Sequence, residues 1–157
     1  VGIHIETTGA AIVENLQLIA PWVGVYATTG SGYGLYVNAA TGTVSLLNIT
    51  DGYWTNCRTS AISINGTSAK PLIVTIKGNQ INGASAANQS EIEVSNGDGV
   101  VIVGNRVYGP SNSGYGILAA SSVTNLVMVG NNATGKLTGG TVMLGTTSST
   151  RVLSANI

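Results

Sequence analysis

Among the six acidic residues of this 157-residue chain, Glu91 and Glu93 stand two positions apart in Glu91-Ile92-Glu93-Val94. On a strand, residues i and i+2 project from one face, about 6.5–7 Å apart. An inverting glycosidase holds its two carboxyls about 6.5–9.5 Å apart, leaving room for the attacking water. Like charges at that distance raise one pKa and keep one acid protonated as a proton donor. The spacing predicts acid–base hydrolysis of a glycosidic bond at Glu91 and Glu93. The plainer alternative is two solvated glutamates on a soluble strand face. His4 and Glu6 form a second i, i+2 pair. His4 is the only histidine and Cys57 the only cysteine, so no internal disulfide, zinc pattern or Ser-His-Asp set independent of His4 can be built. No motif calls for a metal or a cofactor.

The aromatic residues suggest a ligand. Trp22, Tyr26, Tyr33, Tyr53, Trp54, Tyr108 and Tyr115 fall mostly in expected loops. Loop Trp and Tyr rings offer flat apolar faces, with polar tips, on which sugar C–H faces stack. They serve equally well as caps or subunit contacts. Gly30-Ser31-Gly32-Tyr33-Gly34 does not join a strand to a helix, which argues against a phosphate loop.

Composition narrows the partners. Only 8% of residues are charged, with six basic and six acidic residues balancing to zero. Arg58, Lys70, Lys77, Arg106, Lys136 and Arg151 are scattered singly, so no basic footprint for nucleic acid exists. Charge is absent from Asn15 to Thr50 and from Val107 to Gly135, yet glycine and proline break both stretches well short of a membrane-spanning run. Neither nucleic acid nor membrane is expected as a partner. Val1 suggests that the chain is a fragment of a longer protein, with residues 1–157 forming one domain.

A repeat supplies the elements that must position these groups. An Asn followed four residues later by Gly recurs at Asn48, Asn79, Asn105 and Asn131, with Gly immediately before the last three. Each follows an apolar run, such as Ile73-Val74-Thr75-Ile76. Asn15 and Asn156 extend the series more weakly. A second strand recurs in phase, with period-two alternation: Ile3-His4-Ile5, Leu35-Tyr36-Val37, Ile62-Ser63-Ile64, Ile92-Glu93-Val94, Ile117-Leu118-Ala119 and Val142-Met143-Leu144. Such units cannot bury a face alone but can stack. The expected fold is all-β, a single-stranded right-handed parallel β-helix of about six rungs spaced about 4.8 Å apart. Asn15, Asn48, Asn79, Asn105, Asn131 and Asn156 are expected to form an asparagine ladder, amides bonding rung to rung at a corner. The ladder makes the sequon at Asn48 a chance match, without room for a glycan.

In this register the outward column carries His4 and Glu6, then Tyr36 and Asn38, Ser63 and Asn65, then Glu91, Glu93 and Ser95. Leu118 and Met143 continue it. The Glu6–His4 pair lies three rungs, roughly 14 Å, from the glutamates, too far for one site.

With its rungs and asparagine ladder, the chain resembles the pectate-lyase-like superfamily of right-handed β-helices. The low charge, absent Phe and loose V-x-I-x-G-N-x-I rungs are most similar to bacteriophage tailspikes. The resemblance implies a homotrimeric, extracellular virion-tail protein that binds, and in some members cuts, bacterial surface polysaccharide. It places the sugar groove along the outward column, implying substrate contacts at His4, Glu6, Tyr36, Asn38, Trp54 and Ser63. The polygalacturonase-type signatures and the acidic calcium cluster of pectate lyases are missing, so any hydrolysis falls to Glu91 and Glu93. The alternative is a non-catalytic trimeric shaft or spacer of a tail fibre or adhesin, for which exposed Leu118 and Met143 argue; a secreted or cell-surface protein, such as an adhesin or polysaccharide epimerase, is a third reading.

Overall fold

The structure is a computed structural model that describes residues 1–25, 29, 32–83, 89–108, 114–134, 142–144 and 151–154. The described residues are all β, without a helix, and their parallel strands stack as a β-solenoid of about four turns. A first sheet stacks β1 (Ile3–Thr7), β5 (Leu35–Ala39), β8 (Ile62–Asn65), β11 (Ile92–Val94), β14 (Ile117–Ala119) and β18 (Val142–Leu144). The second runs β2 (Ile12–Glu14), β6 (Thr43–Thr50), β9 (Leu72–Lys77), β12 (Gly97–Val103), β16 (Leu126–Val129) and β19 (Arg151–Ser154), with β3 (Gln17–Ile19) beside β6 and β15 (Val123–Thr124) beside β12. The third stacks β4 (Trp22–Gly24), β7 (Tyr53–Thr55), β10 (Gln80–Asn82), β13 (Arg106–Tyr108) and β17 (Asn132–Thr134). These last five strands enclose the four turns, where the Asn spacing had suggested six rungs.

Alternation creates the core. Leu35 and Val37, Ile62 and Ile64, Ile92 and Val94 line up in register in the first sheet and are fully buried. Val74 and Ile76 stack on Val100 and Ile102 in the second, and Trp54, Ile81 and Val107 in the third. Each such side chain contributes about 1.5–3 kcal/mol on burial. Because like stacks on like, the inward residues of the middle strands are buried by the neighbouring turns, whereas Ile3, Ile5, Val13, Leu18 and Val23 on the first turn stay only partly buried.

Two bends in left-handed backbone shape each turn. The first lies within the second sheet, where Asn15, Leu46, Ile73, Gly99 and Asn125 occupy equivalent places on successive turns, with φ of 55°, 52°, 55°, 68° and 51°. The second is the corner into the third sheet, made by Ala20, Asp51, Gly78, Gly104 and Gly130, with φ of 49°, 56°, 66°, 61° and 62°. Gly is the residue type that adopts this conformation without penalty.

The residue after that corner bears the ladder. Asn79 Oδ1 accepts from Gly52 N at 3.0 Å, Asn105 Oδ1 from Asn79 N at 3.0 Å, and Asn131 Oδ1 from Asn105 N at 3.0 Å. The three links span 27, 26 and 26 residues, the period of the coil. The side-chain amides donate in turn, Asn79 Nδ2 to Ile49 O, Asn105 Nδ2 to Ile76 O and Asn131 Nδ2 to Ile102 O. All three asparagines are buried. Asn48 and Asn15 stand elsewhere. Gly52 and Pro21 fill the equivalent corner places, while Asn48 lies within β6 opposite Gln17 and Thr75. Asn15 is exposed and sits in the first bend, where Asn is favoured because it tolerates positive φ. Asn156 lies outside the described residues.

Candidate functional site

The outward column of the first sheet is His4, Tyr36, Ser63, Glu93, Leu118 and Met143, in parallel register across six strands. The side chain of Met143 lies outside the described residues. Strand alternation makes this column: His4, Tyr36, Ser63, Glu93 and Leu118 each sit between two residues that point into the core.

At its N-terminal end the side chains form a connected surface. His4 and Tyr36 rings lie 5.3 Å apart, tilted by 48°. Tyr33, from the segment leading into β5, lies 4.9 Å from Tyr36 at 38°. These separations fall within the range for favourable aromatic pairs. His4 Nε2 is 3.5 Å from Glu6 Oε2, both half-exposed. Asn38 Nδ2 donates to Glu6 Oε1 at 3.2 Å, while Asn38 Oδ1 accepts from Thr67 Oγ1 at 3.2 Å. Asn38 is nearly buried, so its action is to hold the Glu6 carboxylate in place. On a later turn Ser95 Oγ donates to Glu93 Oε1 at 3.1 Å. The Tyr33 hydroxyl is pushed above the usual tyrosine pKa, first by burial, then by the negative charge of Glu93 and by Tyr36.

Three expected site residues are placed differently. Glu91 precedes β11 and is fully buried, with its carboxylate packed against Gly83. Glu91 and Glu93 therefore do not share one exposed face: the extended alternation assumed for both begins only at Ile92. Burial pushes the Cys57 thiol up to about 12, with the Glu91 charge adding to the effect. Trp54 is a core residue of β7, and its Nε1–H donates to Asn79 Oδ1 at 3.0 Å. It closes the ladder at the turn where Gly52 replaces an asparagine, and meets no ligand. Ser63 is 4% exposed between Tyr36 and Glu93, so its hydroxyl is withdrawn from a ligand.

The other aromatics divide. Trp22, Tyr53 and Tyr108 belong to strands of the third sheet, with their side chains outward, rather than to loops beside the first. Tyr26 lies outside the described residues, as do segments 84–88, 109–113 and 135–141. The signal for the third sheet was present after each corner as an outward–inward–outward triplet: Tyr53-Trp54-Thr55, Gln80-Ile81-Asn82, Arg106-Val107-Tyr108. Among the described residues, no group of three or more His, Cys, Asp or Glu side chains could hold a metal ion.

Comparison of the chain with protein-family models, with curated proteins and with solved structures gives no match.

Proposed function

We propose that this β-solenoid binds a polysaccharide chain along the outward face of its first sheet, as tailspike-type members of the pectate-lyase-like superfamily do at a bacterial surface. The observation that carries the reading is the strip of His4, Tyr36 and Tyr33 rings beside Glu6, with Glu93 two strands further along the same column. Stacked rings give a pyranose its apolar platform, and carboxylates accept from its hydroxyls. Strands about 4.8 Å apart align these groups in one line along the coil, which suits a polymer better than a compact small molecule. The proposal is of binding only. Hydrolysis by Glu91 and Glu93 is not part of it, because a buried Glu91 cannot face the sugar opposite Glu93.

A glycan array of bacterial surface polysaccharides, probed with the protein and with Tyr36→Ala, tests this. Binding to a defined polysaccharide that falls about fivefold or more in the variant is expected, since one aromatic contact is worth about 1 kcal/mol or more. No polysaccharide bound, or equal binding by both proteins, overturns it.

A second reading, a trimeric shaft, is favoured by exposed apolar side chains on adjacent turns of the second sheet: Leu46, Leu72 and Ile73 are 36%, 39% and 56% exposed. Neighbouring apolar positions of this kind suit a subunit interface. Sedimentation of the protein and of a Leu46→Ser/Ile73→Ser variant separates the readings: a trimer that the variant breaks favours the shaft.

A further inference from the structure

The third sheet carries a surface that the first reading does not use. Its five strands present two outward columns. One is Trp22, Tyr53, Gln80, Arg106 and Asn132; the other is Gly24, Thr55, Asn82 and Tyr108. Trp22, Tyr53 and Tyr108 are 82%, 41% and 57% exposed, unusual for rings on a sheet that packs its other face so closely. Arg106 is the one charged residue in these strands. It is exposed, and no carboxylate lies within ion-pair distance of it among the described residues.

These groups enclose a groove. A concavity of about 290 Å³ is lined by Tyr53, Gln80, Ile81, Asn82, Arg106 and Tyr108. Register fixes their separations. Tyr53 and Arg106 are two strand steps apart, about 10 Å, while Arg106 and Tyr108 are i and i+2, about 6.5–7 Å. Arg106 thus has one ring two strands away and another two residues along its own strand, with the primary amides of Gln80 and Asn82 on the neighbouring strand. Each part answers a feature of an acidic sugar. Rings take the C–H faces of pyranoses, amides both donate to and accept from hydroxyls, and the planar guanidinium pairs with a carboxylate through two parallel hydrogen bonds.

We propose that the outward face of the third sheet is a second binding site, separate from the first-sheet strip, that takes a carboxylate-bearing oligosaccharide with the acid on Arg106 and flanking rings on Tyr53 and Tyr108. A second copy of this chain is the competing occupant. The concave groove and the hydrogen-bonding residues between the aromatics favour an extended polar ligand over a flat subunit contact. The proposal does not depend on the first-sheet reading, because every group it uses lies on another sheet.

The test is calorimetric titration of the whole protein with a hexasaccharide alternating glucuronate and N-acetylglucosamine, and with its carboxyl-reduced derivative. Sedimentation is run on the same samples. The acidic hexasaccharide is expected to bind more tightly than the reduced one. Arg106→Gln is expected to weaken the acidic ligand about tenfold or more while leaving the reduced one unchanged, and Tyr53→Ala to weaken both. Arg106 and Tyr53 are exposed, so neither change removes a core contact, and circular dichroism checks that each variant folds. Three results overturn the proposal: neither hexasaccharide binding at millimolar concentration, binding indifferent to Arg106→Gln, or an oligomer that dissociates on Tyr53→Ala, which assigns the face to another copy.

Discussion

Asparagine does three different things in this chain, and position on the coil separates them. Asn79, Asn105 and Asn131 are buried corner groups whose amides satisfy backbone from the turns on either side. Asn15 and Asn125 supply left-handed backbone at a bend, and Asn38 orients Glu6. The Gly before the residue marks the ladder members, as Gly78, Gly104 and Gly130, and its absence before Asn48 and Asn15 was the legible warning. Asn105→Ala should cost about 3 kcal/mol, since it leaves the Asn79 N–H and the Ile76 carbonyl buried without their partner. Asn48→Ala should change stability by no more than about 0.5 kcal/mol. Urea denaturation of the two variants checks this, and equal losses would return Asn48 to the ladder. Burial of Glu91 was less legible, because only the fold places Gly83 against its carboxylate.

At the scale of the element, stacking overrides local preference. Leu46 and Ile73 hold φ of 52° and 55° at a bend that Asn15, Gly99 and Asn125 occupy on neighbouring turns. A β-branched residue there is strained by about 1–2 kcal/mol, and hydrogen bonds to the turns on either side enforce the geometry. Ile73 is 56% exposed, so little apolar burial offsets the strain. Ile73→Asn is therefore expected to stabilise the protein by about 1 kcal/mol. Gly104→Ala should destabilise it by a similar amount through conformation alone, because nothing lies within 4 Å of the added methyl. Thermal unfolding of both variants tests the pair; a loss of stability in Ile73→Asn would count against strain at this bend. Strand existence and alternation were readable from period-two patterning, whereas this bend was not: five positions filled by four residue types leave no motif.

For the whole molecule, stability is a sum of contacts between successive turns. Among the described residues, Asp98 makes one of the few charged contacts of this kind. Its carboxylate accepts from Thr124 Oγ1 at 2.6 Å and from Asn125 Nδ2 at 2.7 Å on the next turn, and these bonds hold it below the usual Asp range. A carboxylate depressed in the folded chain stabilises it above the unfolded pKa of about 3.9, and that contribution disappears as pH falls through the folded value. The urea midpoint is expected to drop on acidification below about pH 4, with a shallower drop in Asp98→Asn; identical profiles would remove Asp98 from the account. The low charge follows from the same architecture, since stacking places like residues on like about every 4.8 Å and equal charges would repel. By itself the sequence determined a coil of stacked parallel strands, because periods of 2 and of about 26 residues are properties of the chain. Only the tertiary structure decided which residues share a face and which are covered. Turning Glu91 and Trp54 inward and aligning Tyr53, Arg106 and Tyr108 depend on register between turns, which is set by contacts among residues far apart in sequence.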